Sequence, residues 1–277
     1  MSEQDASLPT SPGGAEPRRG SETKLPARAS EAYGLAEGVV ALAAGVAWLP
    51  ATRTLIAADA HLAYEDVVGG ALPLWSTDEI VARLTLAARA AGAREIVFLG
   101  DIVHGPHMSE GAMRRVQAAL DVLRAEVALT LVAGNHEGRS KAFAVLGATV
   151  DRVERDGWLL VHGDGPAELG RRAIIGHLHP SLRLGAGTTA PAFVGGDALV
   201  VLPALNPYSP GLDLLSEDFT SAIGMWNVRA RDAHAVVLAG ELLYPFGSVA
   251  NLLVTLRSGA LRSRIGPYQR GRKLGPG

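Results

Sequence analysis

Gly134-Asn135-His136-Glu137 follows directly on the apolar run Val127-Ala128-Leu129-Thr130-Leu131-Val132-Ala133, and the junction of the two decides the fold. A β-branched apolar run that ends on small polar residues predicts a buried strand delivering a loop to the C-terminal edge of a sheet. In open α/β sheets that edge is where ligands bind. Gly134 lets the backbone turn tightly there. Asn135, His136 and Glu137 then offer an acceptor, a titratable ring and a carboxylate side by side.

The flanking segments repeat this arrangement. Upstream, Ser109 predicts the N-cap of a helix whose Met113, Val116, Leu120 and Leu123 share one face. Before it, Glu95-Ile-Val-Phe-Leu99 predicts a strand ending on Gly100-Asp101. Ser76-Thr77-Asp78-Glu79 reads as a capping box for a helix continued by Ile80, Leu84, Ala87 and Ala88 and ended by Gly92. Strand, helix, strand with short connections argues for parallel neighbours. Nearer the start, residues 38–48 and 54–59 predict two strands joined by the turn at 49–52, the second ending on Asp59-Ala60-His61. Downstream, strands over 158–161 and 172–175 end on His162-Gly163 and Gly176-His177-Leu178-His179. Residues 198–202, 222–228, 233–238 and 249–256 predict further strands, so an α/β first half is followed by a β-rich second half.

Composition narrows the class. A chain of 277 residues, 48% apolar, has ample material for a core. A net charge of −2 excludes a protein that binds nucleic acid by overall charge; such a partner needs a local patch. With no cysteine there is no disulfide scaffold, thiolate zinc site or cysteine nucleophile, which suits a reducing compartment. Residues 1–30 are rich in Ser, Pro, Gly, Glu and Arg, without the apolar stretch of a signal peptide, and predict a disordered tail. Residues 38–50 are too few to span a membrane. The expected location is cytoplasmic, with one domain over 31–261 and a basic flexible tail over 262–277.

Five segments thus share one habit, in which a strand ends and a metal-capable residue follows at once. They hold five of the eight histidines. Each Asp, Asn or His taken singly is explained as a turn residue; placement at successive strand ends is not. Imidazole and carboxylate without thiolate suit manganese, iron, zinc or cobalt. A carboxylate shared by two such cations would leave a positively charged centre fit for a phosphate ester.

The ordered blocks Asp-x-His, Gly-Asp, Gly-Asn-His-Glu, His and Gly-His-x-His resemble the signature of calcineurin-like metallophosphoesterases. Asp59-Ala60-His61-Leu62-Ala63-Tyr64-Glu65 and Leu202-Pro203-Ala204-Leu205-Asn206-Pro207 are similar to small prokaryotic members, the PdeM-type phosphodiesterases associated with DNA-repair clusters and the SbcD-related archaeal group. The resemblance implies a four-layer α/β/β/α sandwich of two mixed sheets. It implies Asp59, His61 and His179 on one divalent metal ion, with manganese favoured, and Asn135, His162 and His177 on a second, bridged by Asp101. It implies hydrolysis of a phosphodiester, with DNA or a nucleotide among the substrates, by attack of a metal-bridging hydroxide, and His136 as the acid for the leaving group. Gly105 departs from the Asp-Arg of the phosphoprotein phosphatases and argues against that branch. His104 and Arg139 are candidate substrate contacts, and Asp164 a candidate orienter of His162. A phosphomonoesterase, a nucleotide pyrophosphatase and an enzyme of lipid-linked diphosphates would share the ligands; a non-catalytic scaffold would be expected to lose some.

Overall fold

Thr54-Leu55-Ile56-Ala57 is buried at every position, which requires a strand covered on both faces. The computed structural model, which describes residues 29–69, 75–105, 108–136, 146–165, 170–185, 188–209 and 211–257, shows what covers it. A first sheet runs in the order β1 (Ala32–Ala36), β2 (Val39–Leu42), β3 (Val46–Leu49), β4 (Thr54–Ala57), β5 (Glu95–Leu99) and β6 (Ala128–Val132). It is antiparallel up to β4 and parallel across β4, β5 and β6. The second sheet runs β14 (Leu242–Ser248), β13 (His234–Ala239), β11 (Thr188–Gly195), β12 (Leu199–Val201), β9 (Ala173–Ile175), β8 (Trp158–Val161) and β7 (Arg152–Arg155). In it β12, β9 and β8 are parallel, and β10 (Ser181–Gly185) forms a hairpin with β11.

Alternation of side chains along these strands separates three apolar layers. Ile56, Val97, Leu99 and Val132 of the first sheet meet Leu160, Ile174, Val200 and Val236 of the second. The other face, with Leu55, Ile96, Phe98 and Leu131, packs on Ile80 and Leu84 of α2 (Trp75–Ala91) and on Val116, Leu120 and Leu123 of α3 (Glu110–Glu126). Behind the second sheet, Ala173, Ile175 and Val237 pack on Phe219 and Ile223 of α4 (Glu217–Gly224) and Leu252 of α5 (Val249–Arg257). The result is the expected four-layer α/β/β/α sandwich.

Several local expectations are corrected. Residues 38–48 form not one strand but the β2–β3 hairpin, turned at Gly45 with φ 80°. The segments around 222–228 and 249–256 were expected as strands and belong instead to helical structure, α4 with its following turns and α5. Ser216 caps α4 by accepting from Phe219 N. The capping box at 76–79 is replaced by a more distant partner. Glu65, in the short helix α1 (Tyr64–Gly69), accepts from Ser76 N at 3.0 Å and from Ser76 Oγ at 2.8 Å. The next residue, Asp66, accepts from Ser109 N and Oγ at the start of α3, and Ser109 caps α3 as predicted.

The two sheets also touch at their margins. Ser30, just before β1, exchanges both backbone hydrogen bonds with Leu243 of β14. At the opposite margin Val150, just before β7, bonds to Leu131 and Ala133 beside β6. The parallel strands of both sheets end at one common rim, where the candidate ligands lie. No helix among the described residues is long and apolar enough to cross a membrane.

Candidate metal centre

Five of the candidate ligands leave their strands in the left-handed region, with φ 51° at Asp59, 41° at His61, 44° at Asp101, 60° at His177 and 42° at His179. Non-glycine residues persist there only where their surroundings over-determine them, and such residues cluster at functional sites. Crowding explains two of the glycines between them. A Cβ on Gly100 would stand 2.5 Å from His162 Nδ1, and one on Gly176 would collide with the Asp59 carboxylate. Backbone bonds tie the strand ends together, from His61 N to Asp101 O at 2.9 Å and from Leu62 N to Ile102 O at 2.6 Å.

Two groups result. The possible ligand atoms of Asp59, His61 and His179 lie within 4.8 Å of one another, and so do those of Asp101, His162 and His177. The groups abut: the His162 ring lies 3.7 Å from Asp59 Oδ1 and 3.5 Å from Asp101 Oδ2, and His177 N donates to Asp59 Oδ2 at 2.9 Å. Asp59, His61, Asp101 and His162 are buried. Asn135 stands exposed on the rim with Oδ1 2.9 Å from His162 Nε2.

The electrostatics follow from two buried carboxylates. Burial works to raise the pKa of Asp101, but the His162 ring and the His136 N–H bring it down to about 2. Burial also works against charge on His162, yet Asp101, Asp59 and the Leu99 carbonyl raise it to about 9. His61 is lowered to about 3, first by burial and then by neighbouring His179. His177 is lowered by burial and by His162. A cation fits this donor set. His61 Nε2 is buried without a hydrogen-bond partner, an arrangement that costs free energy unless another group satisfies it. His61 Nδ1 faces His104 Nδ1 at 3.2 Å, leaving Nε2 as the ring atom for a metal.

His136 is half-buried beside the second group. Its N–H donates to Asp101 Oδ1 at 2.9 Å, its Nδ1 donates to His104 O at 3.0 Å, and its Nε2 lies 3.7 Å from Asp101 Oδ2. The His104 ring stacks on it with centroids 5.0 Å apart and also meets Tyr64 at 4.4 Å. The candidate substrate contact His104 is thus in the cluster; Arg139, with Glu137 and His107, lies outside the described residues. Asp164 is not the orienter of His162. That ring donates from Nδ1 to Leu99 O at 2.8 Å, while Asp164, exposed, acts on His177 by charge. Asn206, part of the Leu202–Pro207 run, is buried against the centre with Nδ2 3.1 Å from His61 O. Its one sequence signal was its place in the run that follows a strand, a few residues further from the strand end than the ligands.

No protein-family model matches the chain, and no curated protein matches it. Solved structures do. The crystal structure of Pseudomonas putida nuclease MPE aligns over 75% of this chain and 94% of that one, at 21% identity and a TM-score of 0.57. The two chains share a fold.

Proposed function

We propose that this chain is a metal-dependent phosphoesterase that hydrolyses a phosphodiester in nucleic acid or a nucleotide, in one domain over 31–261 between the tails 1–30 and 262–277. The observation that carries the reading is the pair of abutting Asp/His groups at one rim, built on buried carboxylates and a left-handed backbone. The nuclease of the same fold supports a phosphodiester as substrate.

Asp59, His61 and His179 would hold one cation, and Asn135, His162 and His177, with Asp101 as the shared carboxylate, would hold the other. Two divalent cations, manganese first and iron, zinc or cobalt as alternatives, supply when bound an activated water and a positive clamp on the phosphoryl oxygens. His136 carries the proton for the leaving oxygen at Nε2. Its Nδ1 is taken by the His104 carbonyl, which fixes the ring and leaves Nε2, 3.7 Å from Asp101 Oδ2, as the atom that faces the reaction. His104 and Arg139 border the substrate.

The test is hydrolysis of an aryl phosphodiester and the matching monoester with Mn(II), beside single-stranded and duplex DNA. The diester is expected to be cleaved faster than the monoester, and Asp101→Ala to lose metal and activity together. A metal-loaded protein that cleaves neither ester nor DNA would sink the reading.

A further inference from the structure

We infer that the loop 205–209 is the positioning element for one metal site of the pair, that of Asp59, His61 and His179, while the other is oriented by the first sheet. The inference rests on the two-site reading and assigns the loop a part in it. Asn206 is 1% exposed, and a buried amide must have its donors and acceptors met. Its Nδ2 donates to His61 O at 3.1 Å, its N–H reaches Asp59 O at 3.4 Å, and its Oδ1 accepts from Tyr208 N at 2.9 Å. Leu205 N donates to Ala58 O at 2.9 Å. The loop therefore satisfies the carbonyls of Ala58, Asp59 and His61, where the chain leaves β4 and turns left-handed. Those turns are what aim the Asp59 and His61 side chains.

Ser209 serves the third ligand. Its Oγ lies 3.1 Å from His179 Nδ1, and His179 Nε2 lies 3.1 Å from Asp59 Oδ1. An imidazole that gives its Nδ1 proton to a hydroxyl presents the Nε2 lone pair to a metal. Ser209 N also bonds back to Asn206 O at 3.3 Å, which links the two residues within the loop. Arg83 of α2 donates to the Leu205 carbonyl and ties the loop to the outer helix layer. The second group is oriented differently: His162 donates to Leu99 O of β5, and Asp101 accepts from the His136 backbone.

The consequence is site-selective. Asn206→Asp keeps the acceptor for Tyr208 N and removes the donor to His61 O; Ser209→Ala removes the acceptor for His179. Each is expected to weaken one Mn(II) equivalent by about 10–100-fold, the usual effect of losing such an orienting partner, and to leave the other unchanged. Ser209→Thr is expected to restore it. The measurement is Mn(II) titration of the full chain, followed by electron paramagnetic resonance of the free ion, with circular dichroism to check folding. A wild-type chain that takes up fewer than two equivalents fails the two-site reading before any variant is compared. Given two equivalents, a loss shared equally by both sites, or unchanged affinity in folded Ser209→Ala, overturns the role of the loop. Ser209 is only half-buried, so its variants decide the question even if Asn206→Asp does not fold.

Discussion

His136 is fixed at its backbone N–H by Asp101 and at Nδ1 by the His104 carbonyl, so only Nε2 is left to face a reacting atom. His136→Ala is expected to lower kcat by about 10²–10⁴-fold, the range for a lost general acid, with Mn(II) uptake unchanged. Comparison of aryl with alkyl diesters checks this, because a poor leaving group needs the proton more and should suffer the larger loss. Loss of metal in the same variant would make His136 a ligand instead. At this scale much of the site was legible, since Asp59, Asp101, His162 and His177 each follow a strand within two residues. What was not legible is how those residues aim their side chains. Positive φ at Asp59 or His61 leaves no mark in composition, and the partner that stabilises it, Asn206, lies 145 residues from His61 in sequence.

The short helix α1 acts through two adjacent carboxylates, Glu65 on the first turn of α2 and Asp66 on the cap of α3. Helix starts carry unsatisfied N–H groups and a partial positive charge, so an acidic partner stabilises them. Glu65→Ala is expected to cost about 1–2 kcal/mol, the scale of a lost cap, measured by urea unfolding of the metal-free chain. No change in the unfolding midpoint would mean that water replaces the carboxylate at no cost. The Ser-x-x-Glu pattern at 76–79 pointed to this helix start but to the wrong acceptor, because a capping box can be recognised only from local sequence. The misread segments 222–228 and 249–256 fail for a related reason. Short apolar runs do not distinguish a strand from one face of a helix. Ser216-Glu217-Asp218 and Ser248, whose Oγ accepts from Asn251 N, were the available cap signals.

Across the whole molecule the sheets are joined by polar as well as apolar contacts. Glu95 of β5 receives a bidentate pair from Arg155 of β7, at 2.8 and 2.7 Å, and hydrogen bonds from Thr54 and Thr130. The Arg155 hydrogen bonds chiefly, against the effect of burial, hold the Glu95 carboxyl below its ordinary 4.5. A carboxylate depressed on folding contributes stability that is present above its unfolded pKa and lost as pH falls through the folded value. Glu95→Gln is therefore expected to be less stable than wild type at neutral pH, with the gap closing below about pH 4.5. Urea midpoints of both chains across that range check it; a pH-independent gap would assign the loss to packing. The layering itself was legible only through the family resemblance, since an all-buried strand such as Thr54–Ala57 does not say what lies on each face. The margins, too, were invisible in sequence. Ser30 with Leu243 and Val150 with Leu131 and Ala133 place backbone bonds between the outermost strands of the two sheets. An unpaired sheet edge is a template for another chain. Here each sheet shields part of the other's edge, so self-association strand against strand would first have to prise apart a corner of the sandwich.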